Sequence, residues 1–536
     1  MRHLPLSLAA AIAIALGASA QAADLKACQT CHSNITESHA GAAHKDVACT
    51  SCHSGVDAHL KNMKTRPTVS MDPKTCGACH EDQYKSLFTA SDRTARASKK
   101  SATGPAPDPF FDRALGGHGF TKEHDLPRAH AFMALDQFIV DRAFGGRFEP
   151  KEGWLYTTLE GGESYKVWDV LKDNYPENNE HKSFKPGTAA AANAVCWSCK
   201  STDAMLDWAY MGDKVEGAKF NRASNPVDLV REVNHAINCN FCHDPHNAKP
   251  RIVRDALIDA LERKDMPTVY TDVAAHTTKI DVKDAGVRGF TRKIAYMEKS
   301  DSNLMCAQCH VEYVCNPGVD AKTGAKIGMD NRLTNHFPFV NADQIEDYYD
   351  KIGYRDFKHS LTGALLVKMQ HPDFETFMGS KHEKAGATCQ SCHMPKVTNE
   401  KTGKTYTLHW ATSPRHYIKE TCLTCHKDKT EAQMEKSIDA MHAYYDGKVR
   451  EVESRMNDMF NAFELALAQG VDEKTLDEAR KLHSTAHINW EYWTAVNGAW
   501  FHNPDQAVRS LAKAAKAAQD ATDLLRKAMS TKTAAK

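Results

Sequence analysis

Apolar residues recur at three- and four-residue steps near the C-terminus: Ile438, Met441, Tyr445, Val449, Val452, Met456, Met459, Phe463 and Leu467, then Val508, Leu511, Ala515, Ala518 and Leu524. That period predicts long amphipathic helices, with Gly470 and Pro504 as breaks. Such a stripe is ordinarily helix packing, and its length and aromatic content also suit a contact between subunits. Upstream, Gly153 to Val170 alternates, through Trp154, Tyr156, Tyr165, Val167 and Trp168, as a short hairpin does. The remaining segments read as helical or irregular. Ser91 to Pro109 is rich in Lys, Arg, Ser, Ala and Pro without apolar periodicity and reads as a surface linker. At the start, Arg2 and His3 precede an apolar run from Leu4 to Leu16 and the small residues Gly17 to Ala20 and Ala22, a secretory signal with cleavage after Ala20 or Ala22. The run is too short to span a bilayer comfortably, and nothing later approaches a transmembrane length. The expected mature chain is exported and soluble, with no transmembrane segment.

The mean hydropathy of -0.54 is low for a chain expected to bury a large core. The cysteines resolve this. Sixteen of the seventeen form Cys-x-x-Cys pairs, and seven pairs are followed at once by His: Cys28, Cys31 and His32; Cys49, Cys52 and His53; Cys76, Cys79 and His80; Cys239, Cys242 and His243; Cys306, Cys309 and His310; Cys389, Cys392 and His393; Cys422, Cys425 and His426. Paired zinc ligands or a redox dithiol would not demand that His, and His is only 28 of 536 residues. The motif is that of c-type haem attachment, in which two thiols bond the porphyrin and the His supplies the proximal iron ligand. The eighth pair, Cys196 and Cys199, is followed by Lys200. Eight covalent haems are expected, and their apolar plates replace much of a side-chain core, so the chain without haem is not expected to fold.

The fold class expected is mainly α, a multihaem cytochrome c with few short strands, a haem-packed core and long C-terminal helices. Residues 1–22 are the signal peptide. Residues 23–115 form an N-terminal trihaem electron-transfer unit with its linker, since Cys28, Cys49 and Cys76 start only 21 and 27 residues apart and force their haems together. Residues 116–430 carry the other five motifs and the chemistry, and 431–536 the long helices. A signal peptide together with haem attachment points to a bacterial periplasm. Balanced charge, 68 basic against 68 acidic residues, gives no hint of a nucleic-acid partner.

Haems that only carry electrons are normally six-coordinate, so seven distal ligands are wanted from the 21 histidines left after the proximal seven. His44 lies five residues before Cys49 and His59 six after His53, offsets that let a loop cap a neighbouring haem. With His118 they are the expected N-terminal ligands, over His39 and His124. Lys200 ligates iron only as the neutral amine, which burial favours. Its haem is either a six-coordinate Lys/His carrier or has an open face for a small ligand.

The segments His310-Val311-Glu312-Tyr313-Val314-Cys315, Lys368-Met369-Gln370-His371-Pro372 and Cys196-Trp197-Ser198-Cys199-Lys200 resemble those of pentahaem cytochrome c nitrite reductases, which reduce nitrite to ammonium. The likeness runs from about Pro127 to the C-terminal helices, roughly three quarters of the chain. The trihaem segment and the Tyr-Val-Cys triplet are similar to the octahaem branch. The resemblance implies a catalytic haem held by Lys200, with Tyr313, His371 and Arg142 over its open face, Arg128 being the other candidate. It implies calcium held by the side chains of Glu312 and Gln370 and the carbonyls of Tyr313 and Lys368, an all-oxygen set suited to a hard cation. It also implies that His130 caps the haem of Cys306, His409 that of Cys239, His382 that of Cys422 and His502 that of Cys389, with His416 an alternative to His409. Cys315 is either a buried free thiol or, as in the octahaem branch, bonded by a thioether to Tyr313.

The chemistry of these residues agrees. Arg142 and His371 would draw in anionic nitrite and polarise its N–O bonds, while His371 and Tyr313 donate protons. Hydroxylamine and sulfite are further expected substrates. The electron donor is expected to be a small cytochrome or a quinol dehydrogenase, and the C-terminal helices favour a homo-oligomer. The competing readings are a hydroxylamine-oxidising octahaem enzyme, which Lys200 does not suit, and a non-enzymatic electron conduit with every iron six-coordinate.

Overall fold

A computed structural model describes residues 26–88, 110, 113–114, 130–133, 193–225, 229, 232, 235–264, 279–285, 289–495 and 498–534. The signal peptide, the linker at 91–109, the hairpin at 153–170, the boundary at 115, Arg128, Arg142, His118 and His124 lie outside them.

The haem motifs make their own local structure. The amide of the motif His bonds the carbonyl of the first Cys, closing one helical turn, at His32 (2.9 Å), His80 (2.9 Å), His243 (2.9 Å), His310 (3.0 Å) and His426 (2.9 Å). Polar caps start several of these turns. Asn193 accepts from the Val195 amide ahead of α1 (Ala194–Trp197), and Asp301 from the Asn303 and Leu304 amides ahead of α2 (Ser302–Cys306). The Lys200 amide instead reaches the carbonyl of Trp197, at 3.0 Å.

Among the described residues lie three two-stranded antiparallel ribbons and two three-stranded antiparallel sheets, where only helical or irregular chain was expected outside 153–170. In the first three-stranded sheet, β1 (Arg251–Ile252) and β2 (Ile280–Asp284) flank β3 (Lys293–Met297), with Ile252 opposite Ala295. In the second, β5 (Lys326–Ile327) and β6 (Tyr354–Arg355) flank β4 (Gly318–Asp320). Their strands have two to five residues, too few for an alternating pattern to stand out. A short helix, α3 (Asp373–Phe377), follows the second sheet and docks on the Cys306 motif through the Phe374 amide and His310 carbonyl, 2.9 Å apart.

Three long helices close the chain. Helix α4 (Glu431–Ala468) opens with a capping box of Thr430 and Gln433 and at 38 residues is about 57 Å long. Helix α5 (Glu473–Thr494) is capped by Asp472, after Gly470 turns the chain at a φ of 67°, and α6 (Pro504–Ala534) starts on a proline at its first position. Their shared core holds Val452, Met456, Met459, Phe460 and Phe463 of α4, Leu476, Trp490 and Trp493 of α5, and Leu511, Ala514, Ala518 and Leu525 of α6. On α6 the buried line is Ala507, Leu511, Ala514, Ala518, Ala521 and Leu525, so Val508, Ala515 and Leu524 flank it half-buried, and Leu467 of α4 is exposed. Helix α5 escaped the stripe analysis because Ala486 to Trp493 are all buried, and a run enclosed on every side has no stripe. Phe110 and Ala114, just before the expected boundary at 115, join this same core.

The N-terminal motifs are fastened to the rest by side chains. His44 Nδ1 lies 3.0 Å from the Pro245 carbonyl, Asn399 donates to Asp82 at 2.6 Å, and the His409 amide donates to Ser86 at 2.9 Å.

Candidate active site

One continuous cavity of about 2820 Å³ runs through the molecule, and every one of the eight Cys-x-x-Cys motifs contributes to its wall. Ile35, Val47, Leu60, Met63 and Val69 are exposed large apolar residues, and all five face this cavity. Apolar side chains left bare along a shared hollow fit apolar plates that cover them.

The imidazoles provide a sharper test of fit. A nitrogen–metal bond is about 2 Å, so two imidazoles on opposite sides of one iron have ring centres roughly 6.3 Å apart. The motif histidines show that separation: His32 to His59 and His80 to His44 at 6.2 Å, His310 to His130 at 6.1 Å, and His393 to His502 and His426 to His382 at 6.4 Å. His53 faces His246 at 6.2 Å with the rings nearly parallel, at 14°. His246 was missed by the sequence reading, because its ring faces a motif almost two hundred residues earlier in the chain; its one local signal is a place three residues after His243. His39 is buried beside the same cavity without facing a motif imidazole in this way. His409 sits close enough to His243 for that ring's charge to disfavour its protonation, after the larger effect of burial. The same 6.1 Å between His483 and His487 in the C-terminal core is an i,i+4 neighbour contact with no cysteine pair near it in sequence.

The sulfur atoms show which motifs adjoin. The Cys76 sulfur adjoins that of Cys239, Cys309 adjoins Cys199, and Cys389 adjoins Cys306. Burial, then the Cys76 and Cys49 sulfurs, push the Cys52 thiol up. Burial and the Cys306 sulfur raise Cys242 to about 12. Burial and the sulfurs of Cys422 and Cys425 outweigh Ser391 in raising Cys392. The motifs thus follow one another from Cys49 through Cys76 and Cys239 to Cys306. There the line divides, to the Lys200 motif on one side and to Cys389 and Cys422 on the other.

The Lys200 motif is deeply set, with Trp197, Ser198 and Cys199 buried. Asn193 staples it to the Cys315 segment, donating from Nδ2 to the Cys315 carbonyl at 2.8 Å and to Asn316 Oδ1 at 3.0 Å while capping α1. The Cys315 sulfur adjoins that of Cys196. The Tyr313 and His371 rings lie 6.2 Å apart at 40°, and both line the cavity with Lys200, Cys196, Cys199, Cys315 and Gln370. Burial, then the sulfurs of Cys315, Cys196 and Cys199, hold the Tyr313 phenol well above its ordinary range, so it keeps its proton. Behind this group sits Arg254, fully buried, 2.9 Å from Asp255 and with its guanidinium 5.2 Å from the centre of the Phe337 ring. It too escaped the sequence reading, since burial of an arginine is a tertiary property.

Glu312, Lys368 and Gln370 come together beside Tyr313. Glu312 is fully buried, accepts from the Tyr349 hydroxyl at 2.6 Å and from the Gln370 amide at 2.7 Å, and Gln370 Nε2 donates to the Lys368 carbonyl at 3.5 Å. Burial raises its carboxyl to about 8 against the pull of Tyr349, Gln370 and Lys368. A buried carboxyl in that condition beside a side-chain amide and a peptide carbonyl is a donor set completed by a hard cation. No group of three or more His, Cys, Asp or Glu among the described residues is placed to hold a metal ion, so any cation here rests on one carboxylate and neutral oxygens.

Attachment turns, paired imidazoles and a common cavity define a multihaem c-type cytochrome. Residues 153–536 match the cytochrome c552 family, and the chain belongs to it. It is 28% identical over 413 residues to a cytochrome c-552 of Haemophilus influenzae, covering 74% of this chain and 63% of that protein. It is 29% identical over 473 residues to one of Parabacteroides distasonis, covering 85% and 74%. The fold is similar to the cytochrome c nitrite reductase of Desulfovibrio desulfuricans, a catalytic subunit described with two calcium sites: TM-score 0.59, 21% identity, 86% of this chain and 87% of that one. Among the described residues no helix is long and apolar enough to cross a membrane.

Proposed function

We propose that this chain is an exported octahaem reductase that takes nitrite to ammonium, with hydroxylamine and sulfite as further substrates. The observation that carries the reading is the contrast at Lys200. Six regular motifs face a second imidazole at 6.1 to 6.4 Å, whereas the Lys200 motif shares its cavity wall with a tyrosine and a histidine of a substrate pocket. Family membership and the fold shared with a nitrite reductase support it.

The haems, when bound, supply electron transfer and one iron at which a nitrogen oxyanion coordinates. Lys200 would hold that haem, and Tyr313, kept protonated by burial, and His371, which share its cavity wall, would be the proton donors. Arg142 is the guanidinium that attracts and orients the anion. His44, His59, His246, His130, His409, His382 and His502 would be the second imidazoles for the other haems; His118 lies outside the described residues. Residues 23–115 bring electrons in, and the line of adjoining motifs delivers them to the Cys306 junction. Glu312, Gln370 and the carbonyls of Tyr313 and Lys368 would hold calcium, which would fix the segment carrying His371. Cys315, buried and two residues from Tyr313, would bond the tyrosine ring, the thiol proton and one ring proton leaving in a two-electron oxidation for which bound haem would be the electron acceptor. The exposed side of α4 that carries Tyr444 and Leu465 is the self-association face, in the periplasm.

Steady-state turnover of nitrite with reduced viologen, ammonium being quantified, tests the proposal. Absence of ammonium ends it. A conduit would show only low-spin ferric haem in the EPR spectrum, whereas the proposed enzyme shows a high-spin signal that moves on nitrite addition.

A further inference from the structure

The imidazoles placed for iron differ in what receives their second nitrogen. Several meet a peptide carbonyl: His59 Nδ1 is 2.9 Å from the Thr65 oxygen, His44 3.0 Å from Pro245, His393 2.9 Å from Thr412 and His409 2.8 Å from Thr407. His310 meets a carboxylate, with Nδ1 3.0 Å from Asp373 Oδ2. The other oxygen of Asp373 lies 4.0 Å from His502 Nδ1, whose nearer partner is Thr376 Oγ1 at 3.2 Å. Asp373 therefore stands between an imidazole of the Cys306 haem and one of the Cys389 haem, at the junction where the line of motifs divides. Among the described residues the other carboxylate on such a ring is Asp244, 3.5 Å from His246.

The placement is enforced. Asp373 opens α3 directly after His371-Pro372, and its amide is 2.7 Å from the His371 carbonyl. The next amide, of Phe374, is bonded to the His310 carbonyl, so the helix start and the motif turn lock together. Asp373 is thus held with one carboxyl oxygen on His310 Nδ1 and the other towards His502.

We propose that Asp373 is a positioning residue that lowers the reduction potential of the Cys306 junction haem by giving His310 imidazolate character. A carboxylate acceptor raises the basicity of a metal-bound imidazole, and a fixed negative charge near the iron favours the ferric state over the ferrous. A carbonyl acceptor does this only weakly. The junction haem is thereby kept from storing an electron and passes it to the Lys200 haem. This inference rests on the reading of His310 as the iron ligand at Cys306.

The test is a potentiometric titration of the holoprotein, followed by visible and EPR spectroscopy, in wild type and in Asp373→Asn, Asp373→Ser and Asp373→Glu. Asparagine leaves a neutral oxygen for Nδ1 and serine leaves room for water, so both remove the charge without requiring the imidazole to move. With haem content equal, both are expected to raise one low-spin midpoint so that the ferrous-to-ferric ratio at fixed poise grows at least tenfold, which is 59 mV for a one-electron couple. Asp373→Glu is expected to return most of the shift, and Asp244→Asn to move a different haem. Unchanged midpoints in whichever charge-removing variant carries its full haem content would overturn the proposal while leaving the ligation reading standing. A His310→Ala variant that kept every low-spin haem signal would instead remove the ligation reading, and the proposal with it.

Discussion

Glu491 offers a prediction that can be worked through in numbers. Its carboxylate is fully buried on α5, with Oε1 2.9 Å from Lys368 Nζ, and Oε2 3.0 Å from His487 Nε2 and 2.9 Å from the Met369 amide. The Lys368 ammonium also donates to the Met369 carbonyl. One acidic side chain of the C-terminal helices thus grips the two residues that precede Gln370 and His371. Burial opposes its ionisation, but Lys368 and His487 more than offset this and bring the carboxyl down from 4.5 to about 2. A drop of that size is worth about 3 kcal/mol, in line with the roughly 3–5 kcal/mol lost when one partner of a buried ion pair is removed. Because the folded value lies below the unfolded one, the contribution is complete above pH 4.5 and is lost as pH falls towards 2. Glu491→Gln is therefore expected to lower stability by about 3 kcal/mol at pH 7, since it strands the Lys368 ammonium in a dry site. Lys368→Met combined with Glu491→Leu removes both charges and is expected to recover most of the loss. Urea unfolding of haem-matched holoproteins, followed by far-UV circular dichroism, provides the comparison. A loss below about 0.5 kcal/mol in the single variant, or strict additivity in the cycle, would refute the reasoning.

Three further outcomes are expected. Lys200→His keeps its haem but turns over nitrite more slowly, and His371→Asn keeps full haem content while losing at least tenfold in ammonium production; near-normal rates in the latter would remove His371 from the pocket chemistry. His359 is buried, and burial lowers its protonation to about 4 from 6.5, so between those values only the unfolded chain takes the proton and stability falls with pH. From pH 6.5 to pH 5 that costs about 2 kcal/mol, read from urea midpoints, and the slope flattens in His359→Asn. The tryptic peptide spanning Tyr313 and Cys315 also carries Cys306 and Cys309 with their haem, and it is expected two hydrogens lighter than that haem-bearing peptide calculated without a cross-link, with Cys315 resistant to alkylation; the uncorrected mass with Cys315 alkylated would refute the thioether.

The legibility of this chain follows from how far each property reaches along it. Haem attachment is contiguous, five residues closing one turn, so every motif stands out in the sequence, and so does the substitution of Lys200. The four-residue steps of α4 were visible because one face is wet. The enclosed end of α5 was not, nor were the two- and three-residue strands. His44 and His59 could be proposed from nearness in sequence because the loops that carry them are short. His246 could not, because nothing in residues 26–88 shows which distant loop will cover the Cys49 motif.

The amino-acid order by itself determined where covalent bonds to haem form, which motif departs from the rest, and which segments turn into long helices, because each is settled within a few neighbouring residues. Only the tertiary structure decided which imidazoles face each other at about 6 Å, which sulfurs adjoin, and that Asp373, Glu491 and Arg254 are buried beside the haem line and its pocket. Those relations depend on distances between segments far apart in the chain, and on water being excluded there, so that a single buried charge counts for several kcal/mol. Lys200 marks the odd haem in the sequence; the fold supplies the tyrosine, histidine and asparagine that make it a site.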